Sequence, residues 1–154
     1  MVVRSVLIVV CIGLSACSDP DVCDQMEMTL TIKSQAGQPA STFSVGDTVT
    51  FESRLTNRGV VPQTIEVIGC GLVDYDVLDE NGNDVLPEPL ASCAGMPPVT
   101  LGPGDFEQQV RTWDMDDSAA PTPVPAGSYE VIARDTTECA PALTESKTIT
   151  VVSP

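Results

Sequence analysis

Cysteines and carboxylates are the side chains that could do chemistry, because the 154 residues include six Cys and 22 Asp and Glu but no His. Without His, the chain lacks the usual general base and the commonest metal ligand. Paired carboxylates can still catalyse reactions, as they do in glycosidases. Asp74 and Asp76 alternate with Val73, Tyr75 and Val77, so both carboxylates share a face opposite the apolar one. This pattern is typical of a solvated strand face, and we expect no catalytic site and no enzyme activity.

An oxygen-rich segment from Asp79 to Asp84 begins like a calcium-binding loop. An EF-hand loop needs Gly at its sixth position and a bidentate Glu at its twelfth. Here those positions hold Asp84 and Leu90. A second acidic stretch, Asp114 to Asp117, could offer oxygen ligands but is also typical of a solvated loop. We predict no metal and no cofactor, and a calcium-binding or glycan-binding surface stays as an alternative.

The N-terminus has the pattern of a secretory signal. Arg4 precedes an apolar run from Val6 to Leu14, and two small residues follow the run. A stable bilayer span takes about 20 apolar residues, so the run is too short to be one. Residues 1–16 are therefore predicted to be a signal peptide.

The end of this signal is Leu14-Ser15-Ala16-Cys17, which resembles the lipobox of bacterial lipoproteins. The resemblance implies that Cys17 is acylated and that residues 17–25 form a lipidated tether. In many Gram-negative bacteria an Asp after the acylated Cys favours the inner membrane, whereas Ser18 stands there in this chain. We expect a lipid-anchored protein of the cell envelope, with the outer membrane favoured over the inner one.

The net charge of −15 limits the partners of the domain. Nucleic-acid binding needs a basic surface, so it is excluded. Acidic surfaces are also repelled by anionic lipid headgroups, so contact with the membrane is expected through the lipid only.

Four cysteines remain after the signal and the lipidation site, and an even number in an exported chain indicates disulfides. Four cysteines allow three connectivities. We favour Cys70–Cys93, which closes a loop in the middle of the domain, and Cys23–Cys139, which ties the chain's entry to a late strand. A zinc site would be the alternative, but the chain has no CxxC pair and no His.

Short alternating runs separated by Pro and Gly predict an all-β sandwich after the leader. In the second run Val49, Phe51 and Leu55 are expected to point inward, and in the third Ile65 with Val67 or Ile68. The runs are Met26 to Lys33, Thr48 to Thr56, Gln63 to Ile68, Leu72 to Leu78, Phe106 to Trp113, Ser128 to Arg134 and Lys147 to Val152.

Three motifs resemble the BsuPI family, named for an intracellular proteinase inhibitor of bacilli. They are Val73-Asp74-Tyr75-Asp76-Val77-Leu78-Asp79 followed by Gly82, Leu101-Gly102-Pro103-Gly104 running on to Trp113-Asp114, and Pro125-Ala126-Gly127-Ser128-Tyr129-Glu130-Val131. The resemblance covers roughly residues 42–151, within a domain placed at 26–154. It implies an immunoglobulin-like antiparallel β-sandwich that binds proteins, with proteinase inhibition as the most specific expectation. Trp113 and Tyr129 are expected in the core, and the Tyr129 hydroxyl is expected to bond back to nearby backbone.

The Pro-rich loop from Pro87 to Pro98 is the candidate protein-binding loop, and its proposed contact residues are Pro87, Glu88, Pro89, Leu90 and Met96. Prolines and a Cys70–Cys93 bridge would hold the loop rigid, which lowers the entropy cost of binding. Two readings stay open beside a protease partner. The domain could be a structural or assembly module of the envelope that inhibits nothing, and the loop could be a mere connection.

Overall fold

The computed structural model describes residues 22–86, 96–117, 120–139 and 143–153. A 3-10 helix, Val22–Gln25, precedes eleven strands along these residues. The strands are β1 (Met26–Ser34), β2 (Thr42–Ser44), β3 (Val49–Asn57), β4 (Gln63–Ile65), β5 (Val73–Leu78), β6 (Val99–Leu101), β7 (Phe106–Trp113), β8 (Asp116–Asp117), β9 (Ala120–Pro123), β10 (Gly127–Asp135) and β11 (Thr144–Val152). Among the described residues, no helix is long and apolar enough to cross a membrane.

Two sheets form the body of the domain. The first sheet has the order β1-β3-β7, and the second has the order β2-β11-β10-β5. Neighbouring strands are antiparallel except β2 and β11, which run parallel. Two short ribbons, β4-β6 and β8-β9, complete the described fold. The prediction of an all-β, immunoglobulin-like antiparallel sandwich is confirmed.

Period-two alternation explains why each long strand buries one face. In β3, Val49, Phe51 and Leu55 are buried as predicted, Ser53 is buried in phase with them, and Thr50, Glu52 and Arg54 on the other face are exposed or half-buried. In β10, Tyr129 and Val131 are buried in the same way. One merged apolar core results, because the buried faces of both sheets meet in a single cluster.

Aromatic rings form a line through this core. Phe51 packs against Tyr75 with ring centroids 5.7 Å apart, and against Trp113 at 6.3 Å. Trp113 packs edge-on against Tyr129, also at 6.3 Å. Both Trp113 and Tyr129 are 3% exposed, so they pack in the core as expected rather than presenting a stacking surface.

The Tyr129 hydroxyl donates a hydrogen bond of 2.7 Å to the carbonyl of Pro125, which confirms the predicted return to nearby backbone. We expect Tyr129→Phe to lower the free energy of unfolding by about 1 kcal/mol, the usual net value of such a bond. Tyr75→Phe is a matched comparison, because that hydroxyl makes a longer bond, 3.2 Å, to the Gln109 carbonyl. Urea unfolding of both variants tests this expectation. Equal losses of unfolding free energy in the two variants would show that the bond to Pro125 stabilises the fold no more than the longer bond to Gln109 does.

Glu52 lies on the outer face of the first sheet between two cations. Its carboxylate is 2.6 Å from Lys33 Nζ and 3.2 Å from an Arg54 nitrogen. Chiefly through the hydrogen bond from Lys33, this environment lowers the pKa of Glu52 from its ordinary value of 4.5. Because the folded pKa is the lower one, these contacts stabilise the fold above the unfolded pKa. The stabilisation is lost as the pH falls through the folded pKa.

We therefore expect Glu52→Gln to cost less than about 1 kcal/mol at neutral pH, a value set by the partly solvated pair. The difference from the parent chain should shrink as the pH falls below 4.5. Glu130→Gln is the matched control, because it removes a carboxylate from the exposed face of β10 and not from between the two cations. Denaturant unfolding of the three proteins across this pH range measures both. A difference that grows toward acid pH would contradict the sign.

Candidate binding surface

Part of the predicted binding loop falls outside the described residues. Pro87, Glu88, Pro89, Leu90 and Cys93 are among those positions, as is the predicted lipidation site Cys17. Met96 is described, and its side chain is 40% exposed.

Both ends of the loop are fixed to the sandwich. Before it, Val85 and Leu86 are buried, and the Val85 N–H donates to the Val77 carbonyl at 2.8 Å. After it, β6 pairs with β4 through Gln63 opposite Leu101 and Ile65 opposite Val99. The loop thus starts and ends on anchored backbone.

The two chain segments that leave the β4-β6 ribbon at one end each carry an exposed apolar residue. Ile65 and Leu101 are buried on the inner side of the ribbon. Because the pairing is antiparallel, the chain beyond Ile65 and the chain before Val99 leave the ribbon at the same end. Ile68 and Met96 lie on these two segments and are 74% and 40% exposed. We call Ile68 and Met96 the loop-base surface.

The backbone beneath Ile68 is held by the segment that follows β10. The Thr136 carbonyl accepts the Ile68 N–H at 2.9 Å and the Gly69 N–H at 3.1 Å. Val67 forms a bridge with Thr137, and the Thr136 hydroxyl donates to the Gly71 carbonyl. Gly69 is required here, because a Cβ at this position would lie 2.7 Å from Thr136 Cβ. Ile68 is therefore an exposed apolar side chain on fixed backbone.

Disulfides reinforce the same region. Cys23 and Cys139 form a disulfide with a Cα–Cα distance of 5.2 Å, in agreement with the pairing expected from the sequence. It joins the 3-10 helix to the residues just after Thr137. Cys70 is also disulfide-bonded, and its partner lies outside the described residues, so the Cys70–Cys93 pairing stays a prediction.

The candidate carboxylates are engaged within the fold. Asp76 forms an ion pair with Arg134, and Asp74 accepts the Tyr75 N–H at 2.9 Å, both on the outer face of β5. Asp84 Oδ1 accepts the N–H groups of Val77 and Leu86, each at 3.0 Å.

Asp79 is used in the same way. It accepts the N–H groups of Asn81 and Asn83 at 2.8 Å each, and the Asn83 side-chain amide at 2.9 Å. The bond from the Asn83 side chain is the main reason that the pKa of Asp79 is lowered. These oxygens face N–H donors, which a bound cation would have to displace. Over the described ranges, no group of three or more acidic or Cys side chains is placed to hold a metal ion.

The sequence did not single out Ile68, and it left open whether Val67 or Ile68 is buried. Alternation decides the matter, because Ile65 and Val67 are in phase and both are buried, whereas Ile68 is out of phase. The sequence did contain a signal for this surface. Ile68 is apolar but out of phase with Ile65 and Val67, and it lies two residues before Cys70, which was predicted to form a disulfide.

No protein-family model matches the sequence, and the comparison with curated proteins found no match. Solved structures with a similar fold include the alkylpurine DNA glycosylase AlkC of Pseudomonas fluorescens bound to DNA with an abasic site analog. Its TM-score is 0.48 at 14% identity, with 83% of this chain and 30% of that chain covered. A CARDB domain from Pyrococcus furiosus in complex with di-metal ions gives 0.46 at 18% identity, covering 84% and 90%. The sporulation control protein Spo0M of Bacillus subtilis gives 0.41 at 12% identity, covering 82% and 49%. This chain spans less than a third of the glycosylase chain, and these likenesses concern the fold alone.

Proposed function

We propose that this protein is a lipid-anchored, non-catalytic binding module of the BsuPI type, and that it binds a partner protein through the loop-base surface and the Pro87–Pro98 loop. A protease of the cell envelope is the partner we favour, with inhibition as the outcome of binding. The single observation that carries the proposal is Ile68, whose side chain is 74% exposed on backbone held by Thr136.

Rigidity is what makes this arrangement suitable for tight binding. An exposed apolar side chain gains free energy when a partner covers it, and it loses little conformational entropy when its backbone is already fixed. Protein interfaces usually depend on a few buried anchors surrounded by weaker contacts. Ile68 and Met96 fit the role of such anchors, and the loop between Leu86 and Met96 would supply the contacts around them.

Titration of the full oxidised chain, kept in detergent, against purified serine proteases tests this proposal. We expect stoichiometric loss of activity for at least one protease. Ile68→Ser and Met96→Ser should each weaken inhibition by about tenfold, the effect of losing roughly 1.4 kcal/mol of binding free energy. Val152→Ser is the matched control, because Val152 is exposed to the same 40% as Met96 but lies at the end of β11.

The outcomes distinguish a protease-binding module from a structural or assembly module. Loss of inhibition in the two loop-base variants, but not in Val152→Ser, supports a protease-binding surface. If the folded chain inhibits no protease at micromolar concentration, the inhibitory function is wrong. A structural or assembly module of the envelope would then be the better description of the domain.

The lipid anchor is part of the same proposal and rests on the lipobox resemblance at Cys17. Two or more acyl chains hold a protein stably on a bilayer, whereas one holds it only reversibly. Expressed in a bacterium with a lipoprotein pathway, the parent chain should fractionate with membranes, with the outer membrane favoured. Cys17→Ala should move the protein to the soluble fraction. A membrane-bound Cys17→Ala protein would contradict this anchor without bearing on the protease experiment.

A further inference from the structure

A cleft opens on the side of the sandwich where β1 of the first sheet faces β11 of the second. Its volume is about 310 Å³. Ile32, Pro39 and Ala40 give it an apolar side, and hydroxyls and one amine give it a polar side. The residues that line it are Thr31, Ile32, Pro39, Ala40, Ser41, Lys147 and Thr148.

The cleft exists because one segment crosses between the sheets. The Ala40 N–H donates to the Ile32 carbonyl of β1 at 3.0 Å, and the Thr150 N–H of β11 donates to the Ser41 carbonyl at 2.8 Å. Beyond this crossing, β2 pairs only with Thr150–Val152. Among the described residues, the stretch of β11 from Thr144 to Ile149 therefore has no strand on that side.

The hydrogen bond from Thr150 shows which residues of this uncovered edge direct their backbone N–H and C=O groups away from β10. Thr150 directs its N–H toward β2, and the two-residue period of a strand gives Thr148 and Ser146 the same direction. Their N–H and C=O groups face the open side. Such an edge can accept an additional strand from another chain.

Lys147 is the second, independent feature of the cleft. Lys33, Arg54, Arg58 and Arg134 each form an ion pair with an acidic residue. Arg111 also has an interaction partner. Within residues 22–86, 96–117, 120–139 and 143–153, Lys147 alone among the cations has no such partner, although the chain carries 22 acidic residues.

We propose that this cleft binds an extended peptide segment of another protein that carries one acidic side chain. The segment adds to the uncovered edge at Ser146 and Thr148, and its carboxylate pairs with Lys147. The uncovered edge supplies main-chain hydrogen bonds, the apolar side near Ile32 and Pro39 takes an alternate side chain, and the lysine selects for charge. This site is separate from the loop-base surface and does not depend on protease binding.

A different role for Lys147 predicts a different result. An inward-pointing charge on an open edge can prevent two sheets from pairing edge to edge. In that case the lysine keeps the protein monomeric and the cleft takes no peptide. Replacement of Lys147 by an apolar residue would then cause self-association.

The test uses a short capped peptide of alternating valine and threonine with one central glutamate, and its glutamine counterpart, both fluorescently labelled. Anisotropy titrations with the full chain in detergent should show up to about fivefold tighter binding of the glutamate peptide, the change in Kd that corresponds to about 1 kcal/mol for an exposed charge pair. Lys147→Gln should abolish this preference. Arg58→Gln is the matched control, because it removes the same charge from an exposed ion pair elsewhere. Hydrogen exchange should slow at the Ser146 and Thr148 amides when the peptide is bound.

Three results would overturn the proposal. One is equal binding of the two peptides to the parent chain, a comparison that needs no variant to fold. Another is binding without slower exchange at Ser146 and Thr148. The third is absence of peptide binding together with self-association of Lys147→Val, which would assign the lysine to protection of the edge.

Discussion

Replacing both Cys23 and Cys139 with alanine is expected to lower the free energy of unfolding by about 3–5 kcal/mol. The two residues are separated by 116 positions, so the disulfide closes almost the whole domain into one loop. Cross-links that close long loops remove the most conformational entropy from the unfolded chain. Urea unfolding of the double variant, compared with the oxidised parent, measures the loss.

The double variant is more informative than chemical reduction, because a reductant would also open the disulfide at Cys70. Mass spectrometry of the variant should confirm that this second disulfide remains. A matched control is Val22→Ala, which changes a half-buried residue beside Cys23 without opening the cross-link. If the double variant loses no more than Val22→Ala, the disulfide is not a main source of stability.

The long strands could be predicted from the sequence because their cause is local. Two-residue alternation is written directly into β3 and β10, and burial follows it residue by residue. The alternation of Asp74 and Asp76 with buried neighbours correctly placed them on an outer face. Tyr129 could be anticipated because its hydroxyl bonds only four residues back along the chain.

The short ribbons could not be predicted, since their cause is tertiary. The third run was expected to be a strand to Ile68, but β4 ends at Ile65 because its partner β6 is only Val99–Leu101. The acidic stretch from Asp114 to Asp117 was expected to be a solvated loop. It instead contains β8, which pairs with β9, and the buried Met115, whose φ of 59° is a conformation that favours Gly or Asn.

The candidate site likewise has features with a local cause in the sequence and features with a tertiary cause. Residue types along the chain predicted a Pro-rich loop, most of which lies outside the described residues, and two disulfides, of which the favoured Cys23–Cys139 pairing is present. The loop-base surface depends on contacts between Ile68 and Thr136, which are far apart in sequence. The cleft at Lys147 depends on which strand covers which edge, and the sequence carries no local sign of that.

Gln109 joins the two sheets at the edge opposite to β1 and β2, and we expect its replacement to lower the free energy of unfolding substantially. It lies on β7, the edge strand of the first sheet, and its side chain contacts β5, the edge strand of the second. Its Oε1 accepts the N–H groups of Leu72 at 2.8 Å and Val73 at 3.1 Å, and its Nε2 donates to the Val73 carbonyl. One side chain thus satisfies three backbone groups of buried residues.

We expect Gln109→Leu to lower the free energy of unfolding by about 2–4 kcal/mol, because leaving a buried backbone group without a partner costs about 1–3 kcal/mol. Gln108→Leu is the matched control. That neighbour is exposed on the opposite face and makes one bond of 3.3 Å to Glu52. Its replacement should change stability by no more than about 0.5 kcal/mol. Equal losses in the two variants would contradict the bridging role of Gln109.

Gly71→Ala tests the same contact from the other side, because a Cβ there would lie 2.4 Å from Gln109 Oε1. The added methyl group must displace the amide, so this variant should also lose about 2–4 kcal/mol by the same loss of backbone partners. Combining Gly71→Ala with Gln109→Leu should cost less than the sum, since both act on one set of bonds. If the loss in the double variant equals the sum of the two single losses, the two substitutions act on separate interactions, and the shared role of these bonds is wrong. Faster hydrogen exchange at Leu72 and Val73 in each variant would locate the loss at β5, next to the segment that holds Ile68.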